Sequence, residues 1–357
     1  MLIARAPMRI SFGGGGTDLE AYYARYGGMV VSSAINKYFY TIMTTDETDD
    51  LQVISADYRS LFRHTPYNDL FWNGDLALPK AVLHHFGIRR GVNLFVASEV
   101  PPGTGLGSSS AAAVTLVRAI STLIEQPMTR QQTAELASYI EIGKMGMPIG
   151  KQDQYASAFG GLNTITFASE GVTVEPLQID PEVRDTLERR LLLFFTGSSR
   201  ESTSILKHQR RSTEERDEGV LEALHRIKHV AGEVQRCLER GDLEEFASLL
   251  HYSWQEKRRL APNLSSQFID ECYELALQHG ASAGKITGAG GGGFLLLYCR
   301  EEAQEAVTCA LEERGLKRMN FRFDHQGATV VLNVANFSSR WIIPYSPTLF
   351  SVSSSGS

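Results

Sequence analysis

One stretch of this chain has the residue types and the spacing needed to bind an anion. From Pro101 to Ser110, glycines stand at every second position and three serines follow, before a run of strong helix formers. Glycine lets the backbone pass close to a bulky group. The N–H groups of a first helical turn have no partner within the helix, and the helix dipole adds partial positive charge there. The stretch therefore predicts a phosphate-binding loop at a helix start.

An ordinary Gly/Ser-rich connector is the alternative interpretation of this loop. The junction is sharp, however, because the turn residues meet an uninterrupted helix with Ala113, Val117, Ile120 and Ile124 on one face. The loop also lacks the Gly-Lys-Ser or Gly-Lys-Thr ending of P-loop enzymes. The pattern thus favours a different phosphate-binding fold, in which the serine hydroxyls cap the helix or reach a cation held by the phosphates.

Two more glycine-rich runs lie far from the first in sequence. Gly13 to Gly16 precede Thr17 and Asp18, and five of the six residues from 288 to 293 are glycine. So many glycines cost conformational entropy, which implies backbone that something else approaches closely. Each run alone is more often a turn than a site. Three such runs in one chain indicate a ligand cleft between domains.

Glu141 is a candidate cation ligand. It shares a predicted helix face with Ala134 and Ala137, so its carboxylate points where that helix is expected to be buried. Buried acids are usually paired or bound to a cation. Mg²⁺ typically takes one or two protein oxygens together with phosphates and water. Glu141 with a serine hydroxyl fits that requirement, whereas a half-exposed acid at a helix end is the alternative.

Asp153 and Arg9 are ambiguous by themselves. Asp153 follows Gly150 in a loop rich in Gly and Met, and it is equally well placed to be the N-cap of a helix that starts at Gln154. Arg9, within a predicted strand, is either a surface charge or a residue of the cleft. A chemical role for either residue depends on the rest of the set.

The elements that must position these residues divide into two domains, as expected for 357 residues. We expect an N-terminal domain over 1–185, a C-terminal domain over 190–335 and a tail over 336–357. The charged segment near 180–190 is predicted to cross between them, and a strand to begin at Leu191. The segments Gly293–Tyr298 and Ala328–Leu332 are predicted to share an antiparallel sheet covered by helices.

Composition excludes several classes of protein. The chain is 43% hydrophobic and 21% charged, which is ordinary for a globular protein, and its net charge of −6 argues against a nucleic-acid surface. No apolar run approaches the length of a membrane span and no secretory signal is recognisable, so we expect a cytoplasmic protein without a membrane partner. The sequence allows a homo-oligomer without specifying one. The cysteines lack metal-ligand spacing and are expected to be reduced and packed as small apolar side chains: Cys237, Cys272, Cys299 and Cys309.

The three glycine motifs and the Ala6-Pro7-Met8-Arg9 start occur in an order that resembles the GHMP kinases, the superfamily of galactokinase, homoserine kinase and mevalonate kinase. The resemblance implies an α+β two-domain fold, with an N-terminal domain like ribosomal protein S5 domain 2 and a ferredoxin-like C-terminal domain. ATP and substrate would bind between them. Within the superfamily the chain is most similar to bacterial D-glycero-D-manno-heptose 7-phosphate 1-kinases, on four segments: Gly14–Asp18, Phe195–Arg200, Ile205–Gln209 and Trp254–Lys257.

The resemblance implies roles residue by residue. Asp153, which precedes Gln154 as in the Asp-Gln pair of galactokinase, would be the catalytic carboxylate, and Arg9 would stabilise negative charge as the acceptor hydroxyl loses its proton. Ser109 would bind Mg²⁺ with Glu141, or Ser110 would if the alignment slips by one. The expected ATP-binding residues are Pro102, Gly103, Thr104, Gly105, Leu106, Gly107, Ser108, Ser109 and Ser110. The expected substrate-binding residues are Gly14, Gly15, Gly16, Thr17, Asp18, Arg200, Lys257, Gly288, Ala289 and Gly290. Apolar residues between about Leu70 and Val96 would form the adenine pocket.

One departure from the family concerns the sugar. Galactokinase has Glu-His before its Thr-Asp, whereas this chain has Gly15-Gly16. The loss of two side chains enlarges the pocket, which argues against galactose and favours a larger sugar such as a heptose, with Asp18 accepting from its hydroxyls. Arg200 is the first candidate for the sugar's own phosphate, followed by Lys207 and Lys257.

The implied reaction is transfer of the γ-phosphoryl group of ATP to the anomeric hydroxyl of a heptose 7-phosphate, giving the 1,7-bisphosphate for nucleotide-activated heptose and surface polysaccharide. Three alternatives stay open. A fucokinase or another sugar 1-kinase would use the same residues, and a non-catalytic sugar-sensing regulator would use the same fold. A decarboxylase of the isoprenoid branch is the third, and Thr17-Asp18 argues against it.

Overall fold

Two β-sheets with helices packed against them form the framework that positions the candidate residues. The computed structural model describes residues 1–45, 50–64, 74–197, 203–260 and 264–335. Within these ranges the strands are β1 (Leu2–Gly13), β2 (Gly28–Thr45), β3 (Leu51–Ser55), β4 (Ser60–His64), β5 (Val92–Ser98), β6 (Leu162–Ala168), β7 (Gly171–Pro176), β8 (Leu191–Phe195), β9 (Ala281–Ile286), β10 (Phe294–Cys299), β11 (Lys317–Arg318) and β12 (Thr329–Asn333).

Eight of these strands form a mixed sheet in the order β12-β1-β2-β5-β3-β4, with β6 paired to β2 and β7 paired to β6. Strand β2 is 18 residues long. Its first half pairs with β6 and its second half with β5, while β1 lies along its other edge. This long strand therefore joins the parts of the sheet, and it fixes β1, which carries Arg9.

The helices cover the sheets from several sides. Their bounds are α1 (Glu20–Tyr26), α2 (Ala77–His85), α3 (Ser108–Leu123), α4 (Arg130–Ser138), α5 (Gln152–Phe159), α6 (Pro181–Arg190), α7 (Thr203–Glu214), α8 (Glu218–Arg240), α9 (Leu243–Lys257), α10 (Gln267–Gln278) and α11 (Gln304–Glu313). Helix α3 is buried along almost its whole length, as its small and aliphatic residues predict. Within the described ranges, no helix is long and apolar enough to cross a membrane.

The smaller sheet has the order β11-β8-β10-β9, with every pairing antiparallel. Its two faces are apolar, because successive residues of β10 alternate between two hydrophobic clusters. One of those clusters continues into the larger sheet. Phe246 of α9 packs edge-on against both Phe12 and Tyr298, with ring centroids 5.4 and 5.7 Å apart. The two sheets therefore share a hydrophobic core, which fixes their relative position.

The α+β architecture built on two sheets is as predicted. The charged segment between β7 of the larger sheet and β8 of the smaller one is helical, and one predicted strand pairing is wrong. Residues 181–190 form helix α6, capped by the Asp180 side chain, which accepts from Glu182 N at 2.8 Å. The segment 329–333 does not join the smaller sheet, because β12 pairs antiparallel with β1 of the larger one. A strand's alternating pattern identifies the strand but not its partner.

Three of the four cysteines are buried, as expected, and Cys309 on α11 is exposed, which the sequence reasoning did not anticipate.

Candidate active site

The predicted phosphate loop ends where helix α3 begins. Gly103, Gly105 and Gly107 all have positive φ angles of 75°, 80° and 79°, a region that side chains other than glycine rarely adopt. Gly107 is the N-cap in the left-handed conformation, and no side chain caps the helix. The N–H groups of the first helical turn, from Ser108 to Ser110, consequently have no acceptor within the helix. They are available to an anion.

The third glycine run supports the first by direct backbone packing. A Cβ atom on Gly105 would lie 2.5 Å from the Thr287 carbonyl oxygen, and one on Gly288 would collide with the backbone of Gly105. Thr287 Oγ1 also donates to the Thr104 carbonyl at 3.3 Å. The close approach that the glycines imply is therefore an approach between two loops from different sheets, which lie together at the cleft.

Arg9 and Asp153 form an ion pair beside the phosphate loop. Arg9 Nε and Nη2 both lie 2.7 Å from Asp153 Oδ1, and Nη1 donates to the Gly105 carbonyl at 2.6 Å. Arg9 is buried, whereas Asp153 retains 23% of its side-chain exposure. Since Asp153 Oδ2 lies 3.1 Å from the Cβ position of Gly107, the carboxylate borders the helix start where phosphates would bind. Any side chain at 107 would crowd it.

The N-cap alternative for Asp153 is wrong. Helix α5 begins at Gln152 with Lys151 as N-cap, so Asp153 lies within the first turn and its side chain turns to Arg9. The surface-charge alternative for Arg9 is also wrong, because only 4% of the residue is exposed.

Glu141 is buried, as predicted, but in an unexpected element. Helix α4 ends at Ser138, and Tyr139–Lys144 forms a π-helical turn that carries Glu141. Glu141 Oε1 accepts from Ser109 Oγ at 2.6 Å, and Oε2 accepts from Gln154 Nε2 at 2.6 Å. Ser110 is also close enough to act on the carboxylate. Burial raises the pKa of Glu141 above its ordinary value, while these hydrogen bonds oppose that rise.

These residues fit a divalent cation. The Glu141 carboxylate is 1% exposed, and its described hydrogen-bond partners are neutral side chains. Gln154 Oε1, on the amide that contacts Glu141, is buried without a hydrogen-bond partner among the described residues. An anionic oxygen and an unsatisfied carbonyl-type oxygen beside a hydroxyl are the hard oxygen donors that Mg²⁺ prefers. Ser109 is exposed toward the cleft, whereas Ser110 is buried.

The other half of the cleft is formed by the N-terminal glycine run, Gly13 to Gly16, together with helices α5 and α7. Gly15, Gly16 and Asp18 line it with Gln152 and Gln209. Gly16 lies under Gln209, whose Nε2 donates to the Gly16 carbonyl at 3.3 Å. Space for a ligand thus remains on the side that a larger residue at 15 would occupy.

Asp18 is held by protein donors rather than left open. Its carboxylate accepts from Gly16 N at 2.9 Å, from Gln152 N at 3.2 Å and from Gln152 Nε2 at 3.1 Å. Only 2% of the residue is exposed, and burial together with the neighbouring Asp153 raises its pKa. Asp18 therefore fixes the loop and the amide of Gln152 at the cleft wall.

Several predicted site residues lie away from the cleft. Thr17 Oγ1 donates to the carbonyls of Gly14 and Met29, at 2.8 and 3.0 Å, and Gly14 itself packs against the Met29 backbone. Thr104 and Leu106 of the phosphate loop are buried in the protein. Gly290 packs against Leu264, whereas Gly288 and Ala289 line the cleft.

Lys257, the last residue of α9, borders the cleft from the smaller sheet. Its ammonium group donates to the Gly288 carbonyl, and only 8% of the residue is exposed. Burial, and then the nearby Arg9, lower the pKa of Lys257 to about 8, although Asp18 and Asp153 act in the opposite direction. Lys207 is exposed on α7, and Arg200 lies outside the described residues.

An apolar cavity lies next to the phosphate loop. It is lined by Ser108, Ser109, Pro102 and Gly103 of the loop and by apolar residues from the larger sheet and α2: Phe39, Leu76, Leu78, Pro79, Val96 and Ala112. Four of these fall in the range expected for the adenine pocket. Phe39 and Ala112 do not, because β2 and α3 reach the cavity from other parts of the chain.

Sequence reasoning assigned no role to three glutamines of the site. Gln152 and Gln154 lie in the predicted Asp153 loop, and Gln209 lies in a quoted motif, so the signal was their adjacency to residues already selected. Their contacts to Asp18, Glu141 and Gly16 depend on three-dimensional packing.

Comparison with known proteins agrees with this geometry. Residues 76–161 match the N-terminal domain of GHMP kinases and residues 234–317 match the C-terminal domain. A D-glycero-alpha-D-manno-heptose 7-phosphate kinase of Campylobacter jejuni is 31% identical over 329 residues, which cover 90% of this chain and 96% of that protein. The chain belongs to the GHMP kinases. It is a sugar kinase that uses ATP, and its substrate is a small molecule.

Other similar proteins place this GHMP kinase among enzymes with several acceptors. A bifunctional fucokinase/GDP-fucose pyrophosphorylase of Arabidopsis thaliana is 28% identical, over 86% of this chain and 31% of that protein. A solved D-glycero-D-manno-heptose 1-phosphate kinase of Bacteroides thetaiotaomicron superposes with a TM-score of 0.77 and 27% identity, covering 94% of this chain and all of that one.

Proposed function

We propose that this GHMP kinase transfers the γ-phosphoryl group of ATP to the anomeric hydroxyl of D-glycero-D-manno-heptose 7-phosphate. The Arg9–Asp153 ion pair carries the proposal, because it places a half-exposed carboxylate between the phosphate loop and the cleft lined by Gly15 and Gly16. An acceptor hydroxyl beside Asp153 would face the end of a nucleotide bound at α3. The heptose kinase of C. jejuni supports the choice of sugar.

Different residues of the chain bind the phosphates, activate the acceptor hydroxyl and stabilise the developing charge. Backbone N–H groups of Ser108 to Ser110 bind the phosphates at the helix start. Asp153 orients the acceptor hydroxyl and takes its proton, and Arg9 stabilises the negative charge that develops there. Ser109 and Glu141 would hold Mg²⁺, which neutralises phosphate charge when it is bound. Ser109 is preferred over Ser110 because the Ser109 hydroxyl donates to Glu141 at 2.6 Å and the residue is exposed to the cleft, whereas Ser110 is buried.

A phosphate on the sugar requires a cation in the other half of the cleft. Lys257 is the described lysine that lines it, and it lies within electrostatic range of Asp18 and Asp153. We keep Lys257 and Arg200 as the residues proposed to bind the 7-phosphate. Lys207 is a weaker candidate because its side chain is exposed on α7.

Product analysis across a panel of sugars tests the proposal. Its members are heptose 7-phosphate, heptose 1-phosphate, the unphosphorylated heptose, fucose and galactose, with ADP release measured for each. The 1-phosphate is included because the B. thetaiotaomicron protein bears that name, and fucose because of the similarity to the A. thaliana fucokinase. We expect the highest kcat/KM with heptose 7-phosphate and none above background with galactose. A higher kcat/KM with fucose or heptose 1-phosphate would contradict the proposed substrate while leaving the kinase activity in place.

A further inference from the structure

One face of the larger sheet carries a single row of apolar side chains that crosses six strands. On β1, Leu2, Ala4 and Ala6 are buried, so the positions between them face the other side of the sheet. The strand register places Ile3 beside an apolar residue on β12 and on β2, and the row continues over β5, β3 and β4. These six residues, called the apolar row, are in order Leu332, Ile3, Ile42, Phe95, Ile54 and Leu61.

The apolar row is accessible to solvent. Leu332 and Phe95 are each 36% exposed, Ile54 is 38% exposed and Leu61 is 66% exposed. The remaining two members are half-buried. The outward positions of an open antiparallel sheet face are normally polar. A continuous apolar strip across such a face therefore indicates a surface that binds another segment.

The rows on either side limit the shape of what the apolar row binds. One neighbouring row is polar and consists of Thr44, Asn93, Gln52 and Arg63. The other contains Arg5 and Tyr40, with the Arg5 guanidinium 4.2 Å from the ring centre of Tyr38. The strip is thus one side chain wide, and roughly 24 Å long at a strand spacing of about 4.8 Å. These dimensions suit one extended segment better than the face of a second copy, which would bury the polar rows too.

The last described residues lie at one end of the apolar row. Leu332 belongs to β12, which ends at Asn333. Val334 is still paired with the start of β1, because its N–H donates to the Met1 carbonyl at 2.9 Å. It is 65% exposed and stands two positions after Leu332, the spacing of strand residues on one face. The residues that follow 335 therefore begin beside the apolar row.

Residues 336–357, outside the described ranges, have the composition of a segment that covers such a row. Arg340 is their one charged side chain, and it precedes the apolar residues Trp341, Ile342, Ile343 and Tyr345. An extended chain spans about 3.3–3.6 Å per residue, so the stretch from 335 to 341 reaches up to about 20 Å. We propose that residues 341–345 dock across the apolar row of their own chain and shield it from water.

The docked segment would lie behind the cavity beside the phosphate loop. Ser55 of β3 and Val96 of β5 line that cavity, and each directly follows a member of the apolar row, Ile54 or Phe95. Successive strand residues point to opposite faces, so the segment would cover the reverse side of these two strands. It contacts none of the residues assigned to phosphoryl transfer. The inference therefore does not depend on the proposed reaction or on which sugar accepts.

Fluorine NMR of the full chain labelled with 5-fluorotryptophan tests the docking. The chain has three tryptophans, and Trp341→Phe assigns the resonance of that residue. We expect the H₂O/D₂O isotope shift of Trp341 to be smaller in the folded protein than in urea. Ile42→Thr with Ile54→Thr removes apolar atoms from the row and should raise this shift toward the value in urea. Thr44→Ser with Gln52→Thr, in the polar row of the same two strands, is the matched control and should leave it unchanged.

A chain that ends at Ala335 gives a second measurement, which needs no substitution in the sheet. Its apolar row would be uncovered, so it should bind more of the apolar dye ANS than the full chain does. Equal ANS binding by the two chains would overturn the proposal. So would an isotope shift of Trp341 that already equals its value in urea, or one that the row substitutions do not change. Shielding of Trp341 that is lost on dilution, as a dimer dissociates, would place the segment on a second copy and contradict docking within one chain.

Discussion

At the scale of single residues, Asp153 has the geometry of a group that contacts the acceptor. It is held by Arg9 at 2.7 Å but keeps an exposed side toward the cleft. Asp153→Asn removes the proton acceptor while retaining the shape, so kcat should fall by about 10²–10⁴-fold with a small change in the KM for ATP. Steady-state ADP release measures this. Asp185→Asn, at an exposed position on α6, is the control and should retain full activity. Near-normal turnover of Asp153→Asn in a folded protein would remove Asp153 from the mechanism.

Glu141 is the residue whose burial is hardest to explain without a cation. Glu141→Gln keeps an acceptor for Ser109 but removes the charge. We expect the Mg²⁺ concentration needed for half-maximal rate to rise at least about tenfold, because Mg²⁺ binding by proteins depends on one or two carboxylates. Titration of the rate with Mg²⁺ at fixed ATP measures this. Glu135→Gln, at an exposed position on α4, is the control. An unchanged Mg²⁺ dependence would show that Glu141 serves packing and hydrogen bonding only.

The lowered pKa of Lys257 predicts that activity on a phosphorylated sugar falls as the pH rises. Burial and Arg9 lower its pKa to about 8, so the side chain is charged below that pH and neutral above it. If its charge binds the phosphate of the sugar, kcat/KM for the phosphorylated sugar should fall as the pH rises through about 8, and by up to about tenfold per unit beyond. Lys257→Arg remains charged, so its alkaline limb should move to higher pH. Coincident profiles for the two proteins would contradict a charged role for Lys257.

At the scale of elements, the site depends on two loops that only glycine can bring together. Gly105→Ala adds a Cβ atom 2.5 Å from the Thr287 carbonyl oxygen at a φ of +80°. Gly146→Ala is a matched control, since its φ is +70° and nothing lies within 4 Å. Both variants incur backbone strain of about 1–2 kcal/mol, and only Gly105→Ala must also separate the loops. Urea unfolding should show a loss at Gly105 that is larger by at least about 1 kcal/mol. Equal losses would mean that the loop contact is dispensable.

Some helices and strands could be predicted from the sequence, and others could not. The start of α3 and the strand that begins at Leu191 agree with prediction because apolar spacing and turn residues act over neighbouring positions. The partner of β12 and the π-helical turn around Glu141 could not be predicted this way. Both are set by packing between segments distant in sequence, for which the periodic pattern has no signal.

The residues of the candidate site likewise fall into those whose place the sequence could predict and those whose place it could not. Arg9, Ser109 and Asp153 were selected by motif and Glu141 by its place on a predicted helix face, and the structure brings them together as two hydrogen-bonded pairs. Thr17 and Gly14 differ from their motif neighbours Gly15, Gly16 and Asp18, because they hold the backbone of the loop and do not line the cleft. A motif names residues that a loop needs, but it does not separate those that bind a ligand from those that shape the loop.

At the scale of the whole molecule, the cleft is lined by residues from elements of both sheets. The larger sheet supplies Arg9 and the helix start, and the smaller sheet supplies Lys257 and the Thr287-Gly288 turn, with Phe246 packed between them. A nucleotide bound at α3 and a sugar beside Gly15 would therefore meet at Asp153 only while the two sheets keep their shared core. Under the proposed function, the reaction at Asp153 is assigned to the anomeric position of a sugar larger than galactose.

Phosphorus NMR of the product tests this assignment most directly. The wild-type enzyme, with Mg²⁺, ATP and D-glycero-D-manno-heptose 7-phosphate, should give ADP together with a sugar that carries two phosphates, the new one coupled to the anomeric proton. The Asp153→Asn protein should give neither within the same time. A new phosphate at any other carbon, or ADP with inorganic phosphate alone, would contradict the assignment.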